Sequence, residues 1–206
     1  MKRGLHALLM VVVLAGCKAL PDKPMRQTMY DFGPAVPVVA STAPARSALL
    51  LPEVEASGIL ETPALLYRLD YEDPHQLRSY AYARWSAPPG QLVRQRLRDV
   101  LSAERAVLDA AAASSLARRG GTPPPVLRVE LEEFSQLFES STASKGVLRL
   151  RCTLLENTAG GERLVAQRSF DVQRPAPSAD AAGGVRALAA ATDAAAQDIA
   201  RWLQQR

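Results

Sequence analysis

The sequence predicts an α+β fold: a mostly antiparallel sheet with two main helices packed on one face, preceded by a signal peptide and a proline-rich leader. Three observations predict it. Period-two alternation recurs in two separate groups of segments. Each group is followed by a stretch with helical spacing, which orders the chain as strands, helix, strands, helix. Consecutive strand segments are joined by short turns, which favours antiparallel neighbours.

The chain opens on Met1-Lys2-Arg3, followed by a run of Leu, Val, Ala and Met from Leu5 to Leu14, interrupted by His6. A basic start and a short apolar run are the layout of a secretory signal, too short for a mature bilayer span. The run ends in Leu14-Ala15-Gly16-Cys17, small residues directly followed by a cysteine. Residues 1–16 are read as signal peptide. Residues 17–47 form the N-terminus and a Pro/Ala-rich leader, and residues 48–206 a single α+β domain. Pro21, Pro24, Pro34, Pro37 and Pro44 disfavour regular structure in the leader, leaving it as a tether. Met29 to Phe32 is an exception, a short strand candidate closed by Gly33-Pro34.

Ala48 to Leu51 is an apolar strand candidate continuing to Val54. Leu65, Tyr67, Leu69 and Tyr71 alternate with Leu66, Arg68 and Asp70. Asp73-Pro74-His75 turns the chain, and Tyr80, Tyr82 and Arg84 alternate with Ala81, Ala83 and Trp85, so 64–85 reads as a β-hairpin. Ser86 to Pro89 starts a helix, with Ser86 as candidate cap. It runs to about Glu104, with Leu92, Leu97, Val100 and Leu101 as its stripe and arginines on the other side. Residues 105–117 read as a second helical piece, ended by Gly120-Gly121 and Pro123 to Pro125. Val126 to Phe138, Gly146 to Leu155 and Leu164 to Val172 are three further strands. The second of these sets Leu148, Leu150, Cys152 and Leu154 on one face, and Asn157 to Gly161 forms a hairpin turn. Val185, Leu188, Ala195, Ile199, Trp202 and Leu203 then fall on one helical face, a stripe suited to packing on a sheet.

Composition excludes several function classes. The formal charge of +4 falls to +2 without Lys2 and Arg3, and no basic run of the kind that follows phosphates is present, so nucleic acid is not an expected partner. His75 is the sole histidine after residue 16 and sits in a polar turn without a nucleophile or orienting partner. No Cys/His cluster reaches a metal-ligand count, and no phosphate-binding glycine motif occurs. Glu130 and Glu132 fall on one strand face with Arg128, which reads as a solvated sheet surface. Cys152 reads as a small buried strand residue without a disulfide partner. An enzyme, a resident cofactor and a metal are therefore not expected. Tyr67, Tyr71, Tyr80, Tyr82 and Trp85 gather in one hairpin. Spacing allows them either to pack in the core or to form an interface, of which Tyr80, Tyr82 and Trp85 are the candidates.

Two resemblances add to this reading. Leu14-Ala15-Gly16-Cys17 resembles the lipobox of bacterial lipoproteins. That implies a diacylglycerol on the Cys17 thiol, cleavage after Gly16 and an acyl chain on the new amino group. Lys18 stands where aspartate would imply inner-membrane retention, so the outer membrane is expected. The order Tyr67 to Tyr71, Tyr80 to Trp85, the Pro-Pro helix with Leu92, Arg96 and Leu97, the strand Leu127 to Phe138, Gln167 to Phe170, Gly183 to Leu188 and Ile199 to Leu203 resembles the ABC-type transport auxiliary lipoprotein family. Its best-known members are Pqi-type lipoproteins that accompany MCE-domain proteins. The resemblance implies a non-enzymatic periplasmic component of an envelope lipid transport system. Its partners would be an MCE-domain protein, through it an inner-membrane ABC ATPase and permease, and outer-membrane lipids. A homo-oligomer is left open. Three other readings stand beside it: a protein that itself carries lipid in a groove between the sheet and the Val185–Leu203 helix, a structural or assembly lipoprotein, and, with least support, an envelope hydrolase using His75.

Overall fold

The computed structural model describes residues 26–34 and 46–206. The signal peptide, Cys17 and the leader positions 18–25 and 35–45 lie outside them. The described elements are β1 (Thr28–Tyr30), β2 (Arg46–Leu50), a 3₁₀ turn (Gly58–Glu61), β3 (Ala64–Leu69) and β4 (Arg78–Trp85). They continue with α1 (Pro89–Leu101), β5 (Arg105–Leu108), α2 (Ala110–Arg118), β6 (Val126–Phe138), β7 (Ser144–Thr158), β8 (Gly161–Pro175) and α3 (Ala181–Gln204).

The α+β class holds, but the sheet is mixed and not mostly antiparallel. Among the described residues β3–β4, β6–β7 and β7–β8 pair antiparallel. In contrast, β1–β4, β2–β5, β2–β6 and β3–β6 pair parallel. The physical reason lies in the connections. Strands joined by short turns pair antiparallel, whereas β3 and β6 are separated by a long crossover that contains helices and so meet parallel. The long strand β6 is the hub. One edge carries β7 along its length. The other meets β2 at Val126, Glu55 beside Glu130, and β3 from Gln136 to Phe138.

A β-bulge lets β6 keep a single buried face. Leu131 pairs with Leu150 and Glu133 with Arg149, so Glu132 is the extra residue. An inserted residue shifts the side-chain phase by one. Leu127, Val129 and Leu131 therefore share the helix-covered face with Phe134, Gln136 and Phe138, all buried. On β7 no such shift occurs opposite them, and Leu148, Leu150, Cys152 and Leu154 face the core as expected.

Helix α3 covers this face. Val185, Leu188, Ala195, Ile199, Trp202 and Leu203 are all buried, and Trp202 meets the Phe170 ring at 5.9 Å, nearly perpendicular. Burying each large apolar side chain of this kind stabilises the fold by about 1.5–3 kcal/mol. Asp180 caps the helix by accepting the Gly183 N–H at 2.7 Å.

The structure changes three sequence expectations nearby. Residues 105–108 form a strand beside β2, and only Ala110–Arg118 is helical, capped by Asp109. Ser86 does not cap α1: the cap is Pro88, and Ser86 instead donates its N–H to the Tyr30 carbonyl at 2.7 Å. Not all the α1 arginines face outward, because Arg96 lies among the buried residues. It stands three residues after Val93 and one before Leu97, within the apolar stripe.

Candidate functional site

The described part of the leader is locked onto the fold. β1 lies parallel to β4, with Tyr30 in register with Trp85. Beyond it Phe32 turns inward and meets the Trp85 ring edge-on at 5.5 Å and the Phe134 ring at 6.1 Å. Gly33 follows at φ +74°, a conformation that suits glycine. Its N–H donates to Asp31 Oδ1 at 2.8 Å. The expected short strand is present but ends at Tyr30, before Phe32, and the chain bends at Phe32 and Pro34 in place of a Gly-Pro turn.

Arg96 fastens this segment. Its Nη2 donates to the Phe32 carbonyl at 2.9 Å, and its Nη1 reaches Asp193 Oδ1 on α3 at 3.2 Å. The guanidinium also stands 6.0 Å from the Phe32 ring centre. One buried cation thus joins the leader, α1 and α3. Beside Arg96, residues of α1 and α3 line an open groove of about 470 Å³. Asp99, Val100, Asp193, Gln197 and Ala200 contribute to its walls. The interface between α3 and the sheet, by contrast, is filled by side chains, since Leu148, Leu150, Leu188, Ala195 and Ile199 are fully buried there.

The hairpin aromatics divide. Trp85 is in the core, and its Nε1 has no hydrogen-bond acceptor. Tyr80 is half-buried: its ring centre lies 4.6 Å from that of Tyr67, and its hydroxyl donates to Gln136 Oε1 at 2.9 Å. Burial, with Tyr67 and Asp180 nearby, pushes the Tyr80 phenol well above its ordinary pKa. Gln136 in turn donates to Ser144 Oγ at 2.8 Å, which completes a buried polar chain under the start of α3. Tyr82 is exposed. Of the three candidate interface residues, the fold therefore presents Tyr82 to solvent.

The remaining sequence candidates are dispersed. His75 is exposed in its turn, with its N–H on Asp73 Oδ1. Arg151 pairs with both Glu130 and Glu132, and Arg128 with Glu162, on the face of β6–β8 away from the helices. Cys152 is buried, and burial pushes its thiol up to about 12. Sequence reasoning missed Arg96 and Gln136. A charged residue inside the α1 stripe was a readable signal for the first. The β6 bulge, which swaps faces, concealed the second. Among the described residues no group of three or more His, Cys, Asp or Glu side chains could hold a metal ion. No described helix is long and apolar enough to cross a membrane.

Comparisons with known proteins agree with this arrangement. The protein XCC0632 from Xanthomonas campestris is 24% identical, with 85% of this chain and 94% of that one covered and a TM-score of 0.67. A second solved structure, of an uncharacterized protein, is 16% identical over 86% of this chain and 99% of that one, with a TM-score of 0.62. At these identities the likeness shows a shared fold. A search of curated proteins finds no match. The model of the family described as the ABC-type transport auxiliary lipoprotein component matches residues 30–200, from the strand that Arg96 helps to pin through most of α3. The chain belongs to the ABC-type transport auxiliary lipoprotein family.

Proposed function

We propose that this chain is a non-enzymatic, lipid-anchored periplasmic component of an envelope transport system for lipids or other hydrophobic compounds. In this reading it docks the far end of a passage formed by an MCE-domain protein. Cys17 carries a diacylglycerol and an N-acyl chain, and the outer membrane is the anchoring surface because lysine follows the cysteine. ATP hydrolysis belongs to an inner-membrane ATPase and permease reached through the MCE protein. The observation that carries the reading is the family match over residues 30–200, preceded by the lipobox at Leu14–Cys17.

The site's chemistry supports docking over turnover. Its buried cation is used internally, where Arg96 holds the Phe32 carbonyl and Asp193. The filled interface between α3 and the sheet gives no support to lipid carriage there. A partner surface is instead available in the groove between α1 and α3.

Deletion of the chain tests the reading. The expected result is a shifted lipid balance in the envelope, restored by the wild-type chain and not by Cys17→Ser. A deletion that changes cell shape or integrity with lipid balance intact would favour a structural lipoprotein. A lipid balance fully restored by Cys17→Ser would remove the anchor from the function.

A further inference from the structure

Five large apolar side chains are exposed among the described residues: Met29, Ile59, Tyr71, Tyr82 and Leu164. Two of them are neighbours. On β4, Tyr82 and Arg84 are exposed and alternate with the buried Ala83 and Trp85, so both point away from the core. Parallel pairing places Met29 beside Arg84, and Arg84 Nη2 lies 3.6 Å from Met29 Sδ. Just upstream, Gln27 Nε2 donates to the Ala81 carbonyl at 3.3 Å, which holds the incoming chain along the same strand. Met29, 60% exposed, and Tyr82, 54% exposed, thus flank one guanidinium at the β1 edge of the sheet.

This edge is the part of the fold nearest in sequence to Cys17. If all of 18–47 were a free tether, the domain could stand roughly 100 Å from the anchor. β1 removes that freedom. Ser86 N–H on the Tyr30 carbonyl, Arg96 on the Phe32 carbonyl and Phe32 against Trp85 fix it to the core. The eleven residue steps from Cys17 to Thr28 span at most about 40 Å even when fully extended.

The geometry points to the Met29–Tyr82–Arg84 edge as a lipid-contact surface that sets how the domain sits on the membrane carrying its anchor. The chemistry of the three side chains fits a bilayer interface. Methionine offers a flexible apolar chain, tyrosine an apolar ring with a polar tip, and arginine a cation for lipid phosphates with an apolar stem. The inference rests on the reading that Cys17 is lipidated. It adds which face of the domain meets the lipid.

The test uses the lipoprotein purified from membranes as Tyr82→Cys, Met29→Cys or Leu164→Cys. Each variant is labelled with an NBD maleimide and reconstituted in phosphatidylethanolamine–phosphatidylglycerol vesicles containing doxyl-labelled lipid. Leu164 lies on β8, at the opposite edge of the sheet. Cys152 is buried, and a lipidated Cys17 has no free thiol, so the label reports the introduced site. The expected result is a blue shift and doxyl quenching at positions 82 and 29, with position 164 unchanged. Equal, weak quenching at all three positions would overturn the inference. Flotation of the unsubstituted protein and of Cys17→Ser with the same vesicles separates the two readings. If the first floats, the second does not, and position 82 is unquenched, only the lipid-contact surface fails. If the unsubstituted protein does not float, the anchor reading fails and the surface with it.

Discussion

The Arg96 guanidinium reaches the Phe32 carbonyl and the Asp193 carboxylate from within the helix layer. Its two partners differ in exposure, and that difference sets the expected costs. Arg96→Ala removes a charge-assisted hydrogen bond to a backbone carbonyl and loosens β1, and should cost about 2–3 kcal/mol in urea unfolding. Asp193 is 42% exposed on its side chain, so solvent screens the pair, and Asp193→Asn should cost less than about 1 kcal/mol. Equal losses would mean that the ion pair, and not the Phe32 carbonyl, holds the segment. At Gly184 the constraint is space. A Cβ there would fall 2.1 Å from Gln136 Oε1, the atom that accepts the Tyr80 hydroxyl. Gly184→Ala should therefore destabilise by about 1–3 kcal/mol. At Gly160 a Cβ would find nothing nearer than Thr158 Oγ1 at 3.9 Å, and Gly160→Ala should stay within about 0.5 kcal/mol. Thermal unfolding of the two variants side by side checks the contrast.

At the scale of elements, α3 shows how a cap ties stability to pH. The Gly183 N–H and the Ser178 hydroxyl hold the Asp180 carboxyl below its usual 3.8. A carboxylate favoured by folding contributes stability above its unfolded pKa and loses it as pH falls through the lower folded value. Asp180→Ala should lower stability at neutral pH by about 1 kcal/mol. Asp180→Asn keeps an acceptor at the cap and should retain most of the stability while losing the share of the acid dependence that this carboxyl contributes, with that of Asp109 remaining. Denaturant midpoints taken across the acid range decide this, and an asparagine variant as acid-sensitive as the unsubstituted protein would contradict it. The α3 stripe was fully legible because alanine, leucine and tryptophan recur at helical spacing with no competing period. β6 was legible as a strand but not as to its faces. The bulge at Glu132 leaves the apolar residues on alternating parity before and after it, and nothing in local composition marks the insertion. β5 was read as helix because Arg105–Leu108 is too short to show alternation; it is a strand because β2 lies beside it.

For the whole molecule, the class of fold followed from the order of segments, whereas strand direction did not. The hairpin 64–85 and the β6–β8 meander follow from short turns. The parallel contacts of β1, β2 and β3 join strands distant in sequence, whose alternation identifies a strand without naming its neighbour. The candidate site was legible in the same unequal way. Tyr82 stood out by residue type and is exposed, whereas Cys17 lies outside the described residues. Trp85 proved to be core because Phe32 and Phe134 close over it. Arg96 became visible as the fastening of the leader once α1, α3 and β1 were brought together. The central proposal concerns the assembled envelope: that this auxiliary component, anchored by lipid, meets an MCE-domain partner. Its most direct test is gentle solubilisation of membranes carrying the full-length protein with a C-terminal tag, followed by identification of what co-purifies, with Cys17→Ser alongside. The account predicts an MCE-domain protein, with or without its ABC components, recovered with the lipidated chain and reduced with Cys17→Ser. Recovery of peptidoglycan-associated or assembly proteins in its place would contradict it and move the structural reading to first place.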